Sequence, residues 1–417
     1  MTIMKSKILK IITLILAINI YTFSIDKLQF SYLAFYLIVL LALVFLYSKN
    51  ITISKVEIIV AIVPIFYLFF TLLYTNDFYS GFKFTAFFTV FILIQLILKD
   101  RNEWHSIFYK AILVFSFIFV VFTFYQYLLP SHYISTILPL FNSNQQLDIL
   151  KLMRKNSYTG LTSQNAPNAF LISIGFGVLF CKLLYNKKSN KLFYVFAFIY
   201  IIAILMTMKR SFIVANVFCI VAMFFVEIKF SNRKITLFIK YFIVIIAFLT
   251  FLVMSGLFQS IINVVVEKFI FTEFRDFTSG RNNIYIAGFD MFAKSPLIGH
   301  GIYSTPSILA SRYNMSGIQQ MHNIYLQFLA ELGIIGTIIF VFLIILFYYK
   351  TYKNLKRIYK GDNIETKIII GSSFYIQNLW IIYGFFGNPF TENTYLLFYM
   401  LVISISIYYS KSFQIVS

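Results

Sequence analysis

The residues with the clearest chemical potential lie between Thr278 and Gly336, in a chain that is otherwise mostly apolar. Arg281 follows Ser279-Gly280, and His322 lies at the end of the same polar stretch. An imidazole near its ordinary pKa of about 6.5 can take a proton from a hydroxyl at neutral pH. A guanidinium can hold a phosphate through two parallel N–H groups. The two residues predict a site that deprotonates a hydroxyl and binds phosphate, with a backbone-bonded loop histidine and a solvated arginine as the alternatives.

Two residues that follow His322 extend this candidate site. Asn323 is predicted to cap the apolar helix that comes next, which would fix the position of the imidazole. Glu331 lies nine residues after His322. An acidic residue within an apolar segment usually faces the protein interior and pairs with a cation. Glu331 is therefore predicted to pair with Arg210 or Arg281, and its spacing does not choose between them.

Other basic residues lie in segments where a membrane protein usually carries few charges. Lys209 and Arg210 occupy a very short link between two apolar segments. Charges kept so close to lipid are functional candidates, so Arg210 is predicted to bind substrate, with snorkelling to lipid headgroups as the alternative. Lys151, Arg154 and Lys155 form another basic group, which we expect to attract an anionic substrate.

The composition predicts a polytopic membrane protein. Of the 417 residues, 60% are hydrophobic and only 12% are charged, and the mean hydropathy is +0.83. Soluble domains have about 45–50% apolar residues. The net charge of +20 raises nucleic acid as a partner. However, the cations lie between apolar runs, where topology and anionic lipids explain them, so no nucleic acid is expected.

Twelve apolar runs are long enough to cross a bilayer, which predicts an all-α bundle of about twelve transmembrane helices in a single domain, residues 1–417. The predicted spans are 8–24, 29–47, 56–74, 82–98, 106–129, 168–185, 192–208, 211–228, 235–254, 323–348, 367–386 and 393–410.

An even number of spans puts both termini on one side. With those termini inside, the inner segments carry 23 of the 35 Lys and Arg residues, which the positive-inside rule favours. Two outer loops are long, at residues 130–167 and 255–322, and long loops are usually functional. The second is predicted to be a partly helical extracytoplasmic cap that carries the active site, with an amphipathic helix over 283–292.

Several site classes lack their sequence signatures. The chain has no Walker-type phosphate loop, no dinucleotide fingerprint and no His-Glu-x-x-His pattern. His105, His132 and His300 stand apart from one another. Cys181 and Cys219 fall inside predicted spans, where they behave as small apolar residues. The sequence therefore predicts neither a metal site nor a cofactor.

Together, these motifs resemble the O-antigen ligase and polymerase superfamily of bacterial surface-polysaccharide membrane enzymes. The most specific part is His322-Asn323 followed, after nine residues, by Gly333-Ile-Ile-Gly336. The other matching motifs are Ser279-Gly280-Arg281, Pro296-Leu-Ile-Gly-His-Gly301, Gly160 with Asn165-Ala-Pro-Asn168, and Arg210-Ser211, where Lys209 replaces the usual serine.

The resemblance implies a metal-independent glycosyltransferase without a cofactor. Its donor would be an oligosaccharide linked to a polyprenyl lipid through diphosphate, and its acceptor a glycolipid. His322 would activate the acceptor hydroxyl, and Arg281 and Arg210 would stabilise the leaving diphosphate. Expected locations are the bacterial cytoplasmic (inner) membrane, with cytoplasmic termini and an extracytoplasmic active site. A chain-length regulator and a flippase are further expected partners.

Four alternatives differ in what the protein would transfer or move. A polymerase adds the glycan to another lipid-linked repeat unit, whereas a ligase adds it to lipid A-core and a protein O-oligosaccharyltransferase adds it to protein. The many aromatic segments and the short inner loops resemble the highly variable polymerases of polysaccharide gene clusters, which favours the polymerase. A lipid-linked oligosaccharide flippase would be expected to keep polar groups near the bilayer midplane, where this sequence is mostly Ile, Leu, Phe and Val.

Overall fold

The computed structural model describes residues 2–22, 33–48, 51–186, 191–227, 281–313, 315, 320–358 and 364–416. These residues form helices and connecting turns without a strand, so the all-α prediction is confirmed for this part of the chain. Of the twelve predicted spans, the ninth, at residues 235–254, lies outside the described residues. Helices cover the other eleven positions, and the total of twelve spans stays a prediction.

The α-helices are numbered in chain order within the described ranges. They are α1 (Thr2–Thr22), α2 (Leu33–Tyr47), α3 (Lys55–Thr71), α4 (Phe78–Leu98), α5 (His105–Leu128), α6 (Pro130–Thr136), α7 (Ser143–Arg154), α8 (Asn165–Tyr185), α9 (Leu192–Met206), α10 (Arg210–Glu227), α11 (Asn282–Lys294), α12 (Thr305–Tyr313), α13 (Ile324–Ile358), α14 (Ile364–Tyr383) and α15 (Asn393–Val416). A short 3-10 helix, Leu138–Leu140, links α6 and α7.

Length and hydropathy single out five described helices as able to cross a membrane: α4, α5, α8, α13 and α15. Helices α2, α9 and α10 are also apolar but shorter. The bundle is built by α8 and α10 packing on α14, α5 packing on α8, and α15 packing between α4 and α13. One continuous apolar core joins these helices.

Neutral polar side chains also bridge helices inside the bundle, which the sequence analysis did not anticipate. Asn216 Nδ2 donates to Ser173 Oγ at 2.8 Å, and the Tyr375 hydroxyl donates to Asn216 Oδ1 at 2.6 Å. Gln377 Nε2 donates to Thr351 Oγ1 at 2.7 Å. Such hydrogen bonds hold helices together where water is absent.

Ion pairs gather at one end of the bundle. Lys99 Nζ lies 3.4 Å from Glu57 Oε1 and 2.9 Å from Asp100 Oδ2, and Lys411 Nζ lies 3.0 Å and 2.9 Å from the same two carboxylates. The cluster joins the start of α3, the end of α4 and the last part of α15. These segments are the ones that the positive-inside rule assigns to the cytoplasm, and that assignment stays a prediction.

The long connections gather at the opposite end. Thr75 Oγ1 donates to Ile302 O at 2.6 Å, the Ile324 N–H donates to Gly384 O at 2.8 Å, and the Tyr158 N–H donates to Met206 O at 3.1 Å. The predicted amphipathic helix in the second long loop is confirmed as α11. Its buried face, which includes Ile284, Ala287 and Met291, packs on α13.

Candidate active site

Three helices begin at the site, and a basic residue precedes each of them. Lys209 precedes α10, Arg281 precedes α11, and His322 lies two residues before α13. The first N–H groups of a helix have no partner within the helix, and the helix dipole adds partial positive charge there. At α13 these groups are bonded to Gly384 O and Asn323 Oδ1, so the starts of α10 and α11 are the ones suited to an anion. This end of the bundle is therefore suited to a negatively charged ligand.

The turn before α10 is tied to the first long loop. Met208 adopts a positive φ of 53°, and the Phe212 N–H donates to Lys209 O at 3.0 Å. Thr207 O accepts hydrogen bonds from Ser157 Oγ at 2.8 Å and from Asn165 Nδ2 at 3.1 Å. These bonds fix the backbone that carries Lys209.

Arg281 extends from the start of α11 towards the loop between α14 and α15. Its Nη1 donates to Phe386 O at 3.0 Å. Among the described residues this is its one hydrogen bond, and the side chain is half-buried. A guanidinium has five N–H groups, so one anchored Nη1 orients the plane while the remaining donors stay available to a ligand.

His322 occupies the turn immediately before α13, with a positive φ of 54°. Asn323 Oδ1 accepts hydrogen bonds from the Tyr325 N–H at 3.1 Å and the Leu326 N–H at 3.2 Å, which confirms the predicted helix cap. The His322 side chain is exposed to solvent. Partial desolvation together with the charges of Arg281 and Lys209 lowers the pKa of His322 to about 4.

Lys209 shares this electrostatic environment. Burial, followed by the charge of Arg281, lowers the pKa of Lys209 to about 8. Lys209 and Arg281 thus act on each other and both act on His322, although the three residues are far apart in sequence. The sequence alone does not place Lys209 in the site. The sequence signal for it is that lysine stands at a position where the resembling superfamily usually has serine.

The Pro296–Gly301 loop packs against α13 at a kink in that helix. Gly333 interrupts the helix with φ 63° and ψ −170°. The Ile334 and Ile335 N–H groups donate to Pro296 O at 2.8 Å and Leu297 O at 3.1 Å. A Cβ on Gly333 would lie 2.4 Å from Leu297 O, so a glycine is required here for close approach as well as for the positive φ.

Gly336 fits the close packing expected of a small residue. Its Cα faces α3, where an added Cβ would meet Tyr67 Cε1 at 2.4 Å. The two glycines of the Gly-x-x-Gly motif therefore have different roles: Gly333 admits a loop and Gly336 admits a neighbouring helix.

Glu331 is bound by the same loop. Its side chain is 1% exposed, and it accepts hydrogen bonds from the Tyr303 N–H at 3.0 Å, the Thr305 N–H at 3.2 Å and Gln327 Nε2 at 3.0 Å. Among the described residues, these three groups take the place of the arginine partner that the sequence predicts. Backbone N–H groups have no sequence signature, which is why the prediction looked for a cation. The contacts assign Glu331 a role in positioning the loop.

The remaining predicted residues lie at the same end of the bundle. Arg210 is the first residue of α10, directly after Lys209, and is half-buried. Arg154 ends α7 and Lys155 follows it, and both side chains are exposed. They come just before the Ser157–Asn165 segment that is bonded to the α10 turn. Their part in substrate binding stays a prediction.

The start of α8 contains the Asn-Ala-Pro-Asn motif, residues 165–168. Asn165 is already helical, the capping residue is Gln164, and its side chain makes no capping hydrogen bond. Asn168 lies in the first turn with its side chain buried, and its Nδ2 donates to Thr123 Oγ1 at 2.9 Å. The Asn-Ala-Pro-Asn motif thus locks α8 against α5 and does not cap the helix.

Part of the chain that carries the site matches a known protein family. Residues 195–341 match the sequence profile of a family described as O-antigen ligase. The match covers 147 of the 417 residues, and over that segment it supports the resemblance to the O-antigen ligase and polymerase superfamily. Proteins of that family are glycosyltransferase-like enzymes, and the match together with the apolar helices indicates an integral membrane protein. No curated protein matches the chain.

The O-antigen ligase match includes the three basic residues of the site. Lys209, Arg281 and His322 all fall within residues 195–341, as do Arg210 and Glu331. The loop between α14 and α15, which binds Arg281 through Phe386, lies outside the match. The match therefore covers the cationic part of the site but not the loop that follows α14.

Proposed function

We propose that this protein is a surface-polysaccharide polymerase. It transfers a glycan from a polyprenyl-diphosphate donor to a hydroxyl of another lipid-linked repeat unit, on the extracytoplasmic face of the bacterial cytoplasmic membrane. The observation that carries this proposal is the group formed by Lys209, Arg281 and His322 at three helix starts, with the His322 side chain exposed to solvent.

The site suits a lipid diphosphate in charge and in position. Lys209 and Arg281 supply two cations at the starts of α10 and α11, and a diphosphate supplies the complementary negative charge. The site lies at the end of an apolar bundle, where a lipid headgroup would reach it while the polyprenyl chain stays in the membrane. Arg210, Arg154 and Lys155 add positive charge near the approach to this site.

The reaction requires one proton transfer and one displacement. His322 takes the proton of the acceptor hydroxyl as its oxygen forms a bond to the anomeric carbon. The bond from that carbon to the diphosphate oxygen breaks, and its electron pair leaves with the polyprenyl diphosphate. Arg281 and Lys209 stabilise the charge that develops on the leaving group. Metal independence is part of this proposal.

Donor binding also activates the base. With a pKa near 4, the imidazole is unprotonated at neutral pH and can accept a proton, but it is a weak base. A bound diphosphate would offset the charges of Arg281 and Lys209, which removes the electrostatic part of this depression. The pKa of His322 then rises towards its ordinary value, so the base strengthens when a donor is present.

The lowered pKa of Lys209 predicts a pH dependence of donor capture. Lys209 is charged below pH 8 and neutral above it, so kcat/KM for the donor should fall as pH rises through about 8. Lys209→Arg stays charged throughout this range, and we expect it to lack the alkaline fall. The measurement is the pH profile of kcat/KM for the purified protein from pH 6 to about pH 10.

Lys55→Arg, at an exposed residue of α3 at the opposite end of the bundle, provides the matched control and should keep the wild-type profile. An unchanged alkaline limb in Lys209→Arg would assign that limb to another group and remove Lys209 from donor binding.

The matching family is described as O-antigen ligase, which supports a ligase as the second candidate function. The two activities differ in acceptor, and the cationic site serves both. A flippase is less well supported, because Lys209, Arg281 and His322 gather at one end of the described bundle and not near its middle. The proposed partners are the polyprenyl-linked donor, the acceptor glycolipid and the surrounding lipids, together with a chain-length regulator and a flippase.

A deletion strain separates these functions on a glycan gel. A polymerase deletion should leave a single repeat unit on its acceptor and remove all longer chains. Loss of every surface glycan with accumulation of lipid-linked polymer would instead indicate a ligase. Unchanged chain length and amount would contradict both proposals.

A further inference from the structure

The loop between α14 and α15, residues 384–392, forms a wall of the site next to Arg281. Phe386 O accepts from Arg281 Nη1 at 3.0 Å, and Gly384 O accepts from the Ile324 N–H at 2.8 Å. Thr391 O accepts from the Tyr303 hydroxyl at 3.1 Å. The loop therefore contacts the helix start that carries His322, the arginine beside it, and the loop that Glu331 positions.

Glu392 ends this loop and is the second acidic residue near the site. Gln320 Nε2, two residues before His322, lies 3.5 Å from Glu392 Oε1. This is the one hydrogen bond to the carboxylate from the described residues, and it is a long one. Burial raises the pKa of Glu392, yet the side chain stays partly accessible.

Glu331 provides an internal comparison. It accepts three hydrogen bonds from protein groups and is almost completely buried. A carboxylate that serves only the fold should have its lone pairs satisfied in this way, because burying an unpaired charge is costly. Glu392 retains most of its acceptor capacity, which indicates that it is kept for a ligand.

Tyrosine hydroxyls complete the surroundings of Glu392. The Glu392 carboxylate interacts electrostatically with Tyr303, Tyr383 and Tyr395. Arg281 also interacts electrostatically with Tyr383. The rings of Tyr383 and Tyr395 contact each other edge to face, with their centroids 6.0 Å apart. A strong acceptor beside two hydroxyls, each able to donate and accept, matches a ligand that itself presents several hydroxyls.

We propose that Glu392, with the hydroxyls of Tyr383 and Tyr395, forms a subsite that binds the acceptor sugar. In this arrangement the carboxylate accepts a hydrogen bond from a sugar hydroxyl next to the one that reacts, and the two phenols contact neighbouring hydroxyls. The sugar lies between this wall and His322, which faces the reacting hydroxyl. This inference rests on the proposed glycan transfer, and it adds a specificity-determining residue outside the matched family segment.

Acceptor kinetics of the purified full chain test the subsite. Glu392→Gln keeps the size of the side chain but removes the charge-assisted acceptor, so KM for the acceptor lipid-linked repeat unit should rise about 10- to 100-fold. The Kd for polyprenyl diphosphate without sugar should stay within about twofold, because the donor is held by the cations. Glu365→Gln, an exposed residue of α14, is the matched control and should leave both values unchanged.

Tyr395→Phe keeps the ring that packs on Phe170 and removes only the hydroxyl, so it tests the subsite even if Glu392→Gln folds poorly. It should raise the acceptor KM about three- to tenfold, as expected for one neutral hydrogen bond. An acceptor KM unchanged in both variants would overturn the proposal. An equal loss of polyprenyl diphosphate affinity in Glu392→Gln would also overturn it, because Glu392 would then act by positioning Arg281.

These outcomes are distinct from failure of the proposed function. If the wild-type protein transfers no glycan from a lipid diphosphate, the enzymatic activity itself is wrong. If the wild type transfers glycan and Glu392→Gln behaves identically, only the acceptor subsite is wrong.

Discussion

Replacing His322 with alanine should lower kcat by about 100- to 10,000-fold, the usual contribution of a positioned general base. The acceptor hydroxyl then has no group to take its proton as the glycosidic bond forms. Donor affinity should change little, because Lys209 and Arg281 remain in place. The measurement is transfer by purified protein from a lipid-diphosphate donor, with kcat and KM determined separately.

The fold should survive this substitution. The His322 side chain is exposed and makes no hydrogen bond to the described residues. Asparagine tolerates positive φ well, so His322→Asn is a companion variant that keeps the backbone of the turn while removing the base. His132→Ala, an exposed histidine of α6, should behave as wild type. Near-normal kcat in both His322 variants would remove the general-base assignment.

Replacing Arg281 with lysine should reduce kcat/KM by about 100-fold or more, although the charge is kept. The guanidinium is anchored on Phe386 O by one N–H group and offers its other donors to the diphosphate at a fixed angle. An ammonium is a compact point charge and cannot make both sets of contacts at once. Both the donor KM and kcat should deteriorate, since the arginine binds the donor and stabilises the leaving group.

Arg312→Lys tests whether any arginine of this loop region behaves in the same way. Arg312 lies near the end of α12 and is exposed, so its replacement should leave kcat/KM unchanged. Retention of full activity by Arg281→Lys would show that charge alone suffices, and it would argue against a bidentate contact with the diphosphate.

Much of the helical bundle could be predicted, because the sequence signals for each helix lie within that helix or directly beside it. Long apolar runs determine the helices, and helices occupy every predicted span that falls within the described residues. The amphipathic spacing after Asn283 predicted α11, and an asparagine before an apolar run predicted the Asn323 cap. In each case a few neighbouring residues contain the information.

The site depends on contacts between distant segments, and these were only partly predictable. The resemblance directed attention to Arg281 and His322, but not to the approach of Lys209 to them. Glu331 was expected to pair with an arginine and instead receives backbone N–H groups. Glu392 had no signal at all, because its position beside Gln320 and three tyrosines exists only once the 384–392 loop has packed.

The most direct test of the central claim is the affinity of the purified protein for polyprenyl diphosphate, measured alongside transfer for wild type, Arg281→Ala and His322→Ala. We expect wild type to bind the diphosphate more tightly than the corresponding monophosphate, Arg281→Ala to lose this preference, and His322→Ala to keep it while transfer stops. Undiminished diphosphate binding by Arg281→Ala, together with continued transfer by His322→Ala, would contradict the claim that these residues form one catalytic site.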